Sequence, residues 1–346
     1  MAWEIGVLAG LAGELGWDPA PPPVGTSAGS VIGTNLRHGR TLHDLVEEQR
    51  SGGLRVGPQD GPPADPAAAL EVFKSWAGVE HMDAEAARRT AQLALAVPTP
   101  TEDVMVESFR SALPAETWPE GDLRISGVSV STGERVAWTA AGDVDLVRAV
   151  TASCAVPGMF PAITIGADRY LDGGLWSGSN ADLLVGAELE TALFIGPMGV
   201  GSTGLGAMSA RMLERERAQL ATVGTALQVL EPGERFVAAA MQLMDPSRRV
   251  EALEIGLAEG AVAAERLRSA SPDTCAPPAA RPGPRGVQWC TQQRPAGSLL
   301  PGRKPWPPPM HPGRATPARS STPSAGASGR RWRSSTPASP PSPTRL

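Results

Sequence analysis

The sequence is poor in cysteine, histidine, aromatic residues and long apolar runs. Only three of its 346 residues are cysteines and four are histidines, and neither a C-x-x-C pair nor a Cys/His cluster offers the spacing of a metal site. No stretch approaches the roughly 20 apolar residues of a membrane-spanning helix. No basic segment precedes an apolar run at the start of the sequence, as it does in a signal peptide. We therefore expect a soluble, cytoplasmic protein without a disulfide framework, a metal or another cofactor.

Positive charge is scarce in the first 270 residues and concentrated after them. The chain has 31 basic and 36 acidic residues and a formal net charge of −5, which argues against a nucleic-acid partner. Residues 271–346 hold 11 of the basic residues, one acidic residue and 18 of the 35 prolines. Such a segment cannot bury enough apolar area to offset its chain entropy. We predict a folded domain over residues 1–270 and a disordered Pro/Arg/Ser-rich tail over 271–346, compatible with a basic tether, a proline-rich ligand or out-of-frame translation.

Helix and strand patterns alternate along residues 1–270. Helices are predicted over Ala28–Arg37, Glu102–Ala112 and Leu146–Ser153, among others, and a further helix near residues 236–243. Residues 123–130 and 135–139 alternate around a Ser-Thr-Gly-Glu turn, which is typical of a hairpin. Because helices separate most of the strands, we predict an α/β fold, a three-layer α/β/α sandwich with a mostly parallel central sheet.

A G-x-S-x-G run is the sharpest chemical signal, formed by Gly25-Thr26-Ser27-Ala28-Gly29. A nucleophilic serine needs its hydroxyl on a tight strand-to-helix turn, and flanking glycines relieve the crowding there. The helix that follows points its first N–H groups and its dipole at the developing oxyanion. The alternative interpretation of so short a motif is an ordinary glycine-rich loop.

A conventional Ser–His–acid triad does not fit this sequence. His38, His43 and His81 lie in the first third, and His311 lies in the predicted tail, so no histidine is available late in the domain. The base should then be a carboxylate, and Asp172 is the candidate, within Tyr170-Leu171-Asp172-Gly173-Gly174. It ends a predicted strand, where open α/β sheets bind ligands. The alternative for an Asp-Gly pair is a simple Asx turn.

Together, these two motifs resemble the paired signatures of the patatin-like phospholipase family. The resemblance extends from about Ala2 to about Arg268, with support from Ser153–Pro161 before the aspartate and Asn180–Leu183 after it. It implies a three-layer fold and a Ser–Asp dyad that hydrolyses lipid acyl esters without histidine. The resemblance implies a lipid or acyl ester as the substrate, and a membrane surface is one place where such a substrate would be bound. By position, the implied site residues are Ser27 as nucleophile, Asp172 as base, and Gly25, Thr26, Ala28, Gly29, Gly173 and Gly174 as motif and oxyanion support.

Two departures from the family pattern support a second interpretation. The family's glycine-rich oxyanion loop precedes the first residue of this sequence, and Pro21-Pro22-Pro23 weakens the strand leading into Gly25. Losing one oxyanion donor typically costs about 10²–10³ in rate. The alternative function is therefore a catalytically impaired family member that acts as a lipid-binding or interaction protein.

Three weaker signals also have plainer interpretations. Gly199–Gly204 fits G-x-G-x-x-G, but three residues separate it from the preceding strand, which favours a loop over a dinucleotide site. Cys154 is expected in the core. Five apolar residues of the helical region either line an acyl channel or, more simply, fill the core: Phe73, Trp76, Leu93, Leu95 and Met105.

Overall fold

The computed structural model describes residues 1–16, 23–52, 65–197, 204–236 and 246–270. The α-helices in these ranges are α1 Ala2–Leu15, α2 Ala28–Arg37, α3 Leu42–Ser51, α4 Pro66–Ala77, α5 Ala84–Leu95, α6 Glu102–Ala112, α7 Leu146–Ser153, α8 Gly204–Thr222 and α9 Arg249–Ala270. The strands are β1 Val24–Gly25, β2 Arg124–Ser129, β3 Arg135–Trp138, β4 Ile163–Ile165, β5 Asp168–Asp172, β6 Thr191–Ile195 and β7 Ala226–Leu230. Short 3-10 helices occupy Gly173–Leu175, Ala181–Leu184 and Pro246–Arg248.

Local capping signals fix where several helices begin. Thr41 and Asp44 form a reciprocal capping box at the start of α3, which satisfies N–H groups that a helix leaves open. The Asp145 side chain accepts the Arg148 N–H at the start of α7. The predicted bounds of α2, α6 and α7 are confirmed to the residue. Most of the helix predicted near residues 236–243, the tail 271–346 and most of the G-x-G-x-x-G run lie outside the described residues.

The α/β class is confirmed, and the parallel character of the sheet is confirmed in part. Among the described strands, β1 pairs with β2 and β6 with β7 in parallel. The pairs β2/β3, β2/β5 and β4/β5 are antiparallel. The two hairpins turn through glycines with positive φ, Gly133 at 76° and Gly166 at 63°. Short turns of this kind join antiparallel strands, whereas a parallel pair needs a long crossover.

Strands β1 and β5 approach each other end to end along one edge of β2. Strand β3 pairs with residues 125–128 of β2, so β1 and β5 both occupy the opposite edge. Strand β1 runs parallel to β2 and ends with Gly25 beside Ile125, while β5 runs antiparallel and ends with Asp172 beside Gly127. Only Ser126 of β2 separates the two ends. The register of this sheet therefore brings the residues after β1 and the last residue of β5 to one point.

The main apolar core packs helices α4 to α7 against this sheet. Trp76 and Met105 are buried within it, and Phe73 and Leu95 pack against it, whereas Leu93 is 49 % exposed on α5. The positions of Trp76, Met105, Phe73 and Leu95 favour a core role over an acyl channel.

Cys154 is also buried, as predicted, and burial raises the pKa of its thiol. No helix in the described ranges is both long and apolar enough to cross a bilayer.

Candidate active site

Ser27 occupies a strained turn between β1 and α2. Its backbone angles are φ 52° and ψ −122°, a combination that costs a non-glycine residue about 1–3 kcal/mol. Gly25 makes the turn sterically possible, because a Cβ there would lie 2.6 Å from the Ser30 Cα and 2.7 Å from the Gly29 carbonyl oxygen. Strain of this kind persists only where the surroundings hold it in place.

Two serines hold this turn through its backbone. The Ser27 N–H donates to the Ser153 Oγ at 3.0 Å, and the Ser30 hydroxyl donates to the Ser27 carbonyl oxygen at 2.7 Å. Ser153 is the last residue of α7 and is fully buried. Because the Ser27 N–H is occupied, the next N–H is that of Ala28, the first residue of α2, which has no acceptor within the helix. The Ala28 N–H and the positive end of α2 are thus available to an anion beside Ser27.

Asp172 is buried at the end of β5, with 3 % of its surface exposed. Its N–H donates to the Ala155 carbonyl oxygen at 3.0 Å, and its Oδ1 accepts the Gly174 N–H at 2.7 Å. Burial raises the pKa of Asp172 to about 7, although hydrogen bonding from the Gly174 N–H and the Ser27 hydroxyl lowers it. A carboxyl group with this pKa exchanges protons readily near neutral pH, as a general base requires.

Gly173 allows the loop after β5 to lie directly against β2. A Cβ at Gly173 would lie 2.1 Å from the Ser126 Oγ and 2.8 Å from both the Ser126 Cβ and carbonyl oxygen. Gly173→Ala should therefore lower the free energy of unfolding by about 1–3 kcal/mol through overpacking. Urea unfolding of the parent and the variant measures this loss.

Gly29→Ala is the matched control for that substitution. A Cβ at Gly29 meets no atom within 4 Å, and alanine is the better helix former by about 0.5–1 kcal/mol. We expect its stability to be unchanged or slightly increased. Equal losses in the two variants would contradict the close approach of Gly173 to Ser126.

The first half of the chain matches a known family. Residues 1–185 match the patatin-like phospholipase family. The chain belongs to that family. No curated protein matches it. The matched segment contains β1 to β5 and both sequence motifs, whereas β6, α8, β7 and α9 lie beyond it. Membership supports a lipid acyl hydrolase as the general kind of protein, and it confirms the resemblance seen in the sequence over residues 1–185.

Asn180 connects the two halves of this patatin-like site. Its side-chain nitrogen donates to the Thr26 Oγ1 at 3.0 Å, next to Ser27, and to the Gly173 carbonyl oxygen at 3.2 Å, next to Asp172. The Thr26 and Ser126 hydroxyl groups are themselves 2.7 Å apart. Asn180 is fully buried and has a left-handed backbone, with φ 47°, which asparagine tolerates better than most residues. The segments that contain Asn180 and Ser153 stand out in the sequence only through the family resemblance, and Ser126 has no such signal.

An ion pair fixes the other side of Asn180. The Arg135 guanidinium donates to the Asn180 Oδ1 at 3.1 Å and to both carboxylate oxygens of Asp182 at 2.6 and 2.7 Å. It also lies 5.9 Å from the centre of the Trp176 ring. A bidentate pair of this kind adds geometric specificity to its Coulomb energy. Because the Asn180 oxygen faces Arg135, its NH₂ group faces Thr26 and Gly173.

The described histidines lie away from this site. His38 follows the far end of α2 from Ser27, about 15 Å along the helix axis, and its ring lies against the Thr117 carbonyl oxygen. His43 lies on α3, and His81 is exposed in the connection between α4 and α5. Within the described ranges, no group of three or more histidine, cysteine or acidic residues could hold a metal ion. The functional groups that gather around Ser27 are hydroxyl, amide and carboxyl groups and the buried thiol of Cys154.

Proposed function

We propose that the protein is a serine lipid acyl hydrolase of the phospholipase A or esterase type, acting through Ser27 and Asp172 and an acyl-enzyme intermediate. The observation that carries the proposal is the strained Ser27 turn beside a buried carboxyl group. The Ser27 hydroxyl interacts with Asp172, whose pKa of about 7 suits a general base. Membership in the patatin-like phospholipase family supports the substrate class.

In the acylation step, the Asp172 carboxylate takes the proton of the Ser27 hydroxyl while Ser27 Oγ attacks the acyl carbonyl carbon. The carbonyl oxygen becomes an oxyanion, which the Ala28 N–H and the positive end of α2 stabilise. As the tetrahedral intermediate collapses, the ester bond breaks and the leaving alcohol takes the proton from Asp172. An ester between Ser27 and the acyl group remains.

Deacylation repeats these proton transfers with water as the nucleophile. Asp172 takes a proton from water, whose oxygen attacks the acyl carbon, and then returns that proton to Ser27 Oγ as the fatty acid leaves. One buried carboxyl group serves both steps because it is the base in each attack and the acid in each collapse. Neither step requires histidine.

The proposed substrate is a lipid or acyl ester, dispersed or at a membrane surface, and no cofactor takes part in the steps above. The low cysteine content of the chain supports a reducing, cytoplasmic setting as part of the proposal.

Active-site labelling tests this function. The purified full chain is treated with a fluorophosphonate, which phosphonylates activated serines, and the modified peptide is mapped by mass spectrometry. We expect the label on Ser27. Its rate should rise about tenfold per pH unit below the Asp172 pKa and level off above about pH 7, because only ionised Asp172 accepts the serine proton. In parallel, release of fatty acid from phospholipid vesicles and from short-chain esters is measured.

Variants of the three described histidines are the control. His38→Ala, His43→Ala and His81→Ala should label at the rate of the parent, since none of these rings lies at the site. A label on another serine, or no label in a folded sample, would contradict the proposed role of Ser27. Binding of lipid vesicles without labelling or hydrolysis would instead support the lipid-binding alternative.

A further inference from the structure

A buried acidic side chain outside the family-matched residues contacts the loop that carries Asn180. Glu216 lies on α8 with 3 % of its surface exposed. Its Oε2 accepts a hydrogen bond from the Ser179 hydroxyl and another, at 2.9 Å, from the Ala181 N–H. These two donors flank Asn180 on either side. Because the family match ends at residue 185, it assigns no role to Glu216.

The surroundings of Glu216 are costly for a carboxyl group. Burial raises its pKa, and Asp182 contributes in the same direction, while hydrogen bonding from Ser177, Ser179 and Ala181 lowers it. Its Oε1 is buried without a hydrogen-bond partner in the part of the chain that the structure describes. A buried carboxyl oxygen without a partner is destabilising and rare in folded proteins. An apolar residue at this position would avoid that cost but would leave the Ser179 hydroxyl and the Ala181 N–H without their acceptor, so the role of Glu216 in this structure is to hold these two donors.

The contacts of Asn180 link the Ser27 turn to the Asp172 loop, so the position of Asn180 affects the distance between the two. Besides Thr26 and Gly173, its nitrogen lies 2.7 Å from the Ser177 carbonyl oxygen and 3.3 Å from the Ser126 Oγ. One NH₂ group thus reaches the residue before Ser27, the residue after Asp172, and the strand between them. A displacement of about 1 Å between reacting groups can cost roughly 10²-fold in rate.

We propose that Glu216 is a positioning residue, which holds the Ser179–Ala181 loop so that Asn180 locks the Ser27 turn against the Asp172 loop. This inference rests on the proposed hydrolase function. It assigns a role in the active site to α8, a helix that lies beyond the family-matched segment. Glu216 touches neither the substrate nor the reacting atoms in the proposed steps. Its effect on the reaction passes through Asn180.

The principal test replaces Glu216 with methionine, which has a similar length and offers Ser179 and Ala181 only a weakly accepting sulfur. Glu216→Met should lower both kcat and the rate of fluorophosphonate labelling by about 10–100-fold, while KM changes by less than about threefold. Glu216→Gln keeps a carbonyl oxygen for both donors and should restore most of the rate. Glu214→Met, at a 72 % exposed side chain of the same helix, is the matched control and should stay within about twofold of the parent.

A double-variant cycle tests whether Glu216 acts through Asn180. Asn180→Ala should slow labelling at least as much as Glu216→Met does. In the variant carrying both substitutions, the rate should be close to that of Asn180→Ala, because two residues of one relay do not have independent effects. Multiplication of the two effects would show that Glu216 acts by another route and would overturn the proposal.

Hydrogen exchange provides a readout that does not depend on activity. Glu216→Met should speed amide exchange in peptides covering both residues 23–31 and residues 171–182, whereas Glu214→Met should not. Unchanged exchange over residues 23–31 overturns the positioning role, whether or not the parent hydrolyses esters. Failure of the parent to label at Ser27 overturns the hydrolase proposal instead, and the exchange result then decides the positioning role by itself.

Ser179→Ala keeps the test decisive if Glu216→Met does not fold. It removes the Ser179 hydroxyl, with its contacts to Glu216 and to the Ser177 Oγ at 3.3 Å, and leaves the Ala181 N–H contact in place. We expect a smaller loss of kcat, about 3–10-fold, and faster exchange over residues 23–31. Rates and exchange equal to those of the parent contradict the proposal.

Discussion

Replacing Ser27 with alanine is expected to lower ester hydrolysis by about 10⁴–10⁶-fold, because no other group supplies the attacking oxygen in the proposed reaction. The Ser27 backbone contacts to Ser153 and Ser30 do not involve its hydroxyl, so the fold should be retained. The measurement is kcat/KM on a short-chain ester, with circular dichroism to confirm folding. Residual activity above about 1 % of the parent would indicate a different nucleophile.

Ser27→Gly separates chemistry from backbone strain in the same turn. Glycine adopts φ 52° without the Cβ penalty that serine and alanine share. Both variants should lack activity, but only the glycine variant should gain stability, by about 1 kcal/mol over the alanine variant. Thermal unfolding of the two proteins measures the difference. Equal stability would mean that the turn is not strained at Ser27.

Replacing Asp172 with asparagine is expected to lower activity and to raise the free energy of unfolding. Activity should fall by about 10³–10⁴-fold, because an amide cannot take the serine proton. The Gly174 N–H contact can persist, since the asparagine oxygen also accepts a hydrogen bond. Kinetics on a short-chain ester and unfolding by urea, both at pH 8, measure the two effects. Loss of activity without any gain in stability would contradict the burial of an ionised carboxyl group.

The stability gain of Asp172→Asn should depend on pH with a definite sign. The folded pKa of Asp172, about 7, lies above the value of an unfolded aspartate, about 3.9. Between these values the native state binds the proton more tightly than the unfolded state does. The contribution of Asp172 to the free energy of unfolding is therefore fully present below about pH 4, falls by at most roughly 4 kcal/mol as the pH rises to about 7, and is constant above that pH. The variant lacks this loss, so its advantage should widen between pH 5 and pH 8.

Asp143→Asn provides the control for that titration. Asp143 is exposed in the connection before α7, so replacing it removes no buried carboxyl group. Its stability difference from the parent should therefore be the same at pH 5 and pH 8. A difference that widens as much as that of Asp172→Asn would show that the change is not specific to the buried carboxyl group.

Several features of the fold could be read from neighbouring residues alone. The bounds of α2, α6 and α7 were predicted to the residue because apolar spacing carries the information. Of the three helices, only α7 has a side-chain cap, from Asp145. The hairpin of β2 and β3 was predicted from the turn at residues 131–134, where Gly133 has φ 76°. The parallel sheet was predicted less well, since the antiparallel pairing of β5 with β2 joins residues more than 40 positions apart.

The surroundings of the two motif residues could not be predicted in the same way. Ser126 and Glu216 have no distinctive sequence context, and Ser153 has only its place in a family-like stretch. The importance of all three comes from contacts with residues far away in the chain. Asn180 reaches Thr26 across 154 positions. A pattern of neighbouring residues does not report contacts between residues that are far apart in the chain. A buried polar residue amid apolar neighbours, as at Ser153 near the end of α7, is the one signal that could have pointed to them.

The sequence by itself determined which functional groups are available to the site. They are a serine on a glycine-flanked turn before a helix and an aspartate followed by two glycines, with no histidine in a suitable place. These are local properties, fixed by backbone sterics and residue type. Only the tertiary structure decided that β1 and β5 end on either side of Ser126, so that Ser27 and Asp172 meet. It also raised the pKa of Asp172 to about 7. Strand register and burial depend on how distant segments pack, because the cost of removing a charge from water is set by everything that surrounds it.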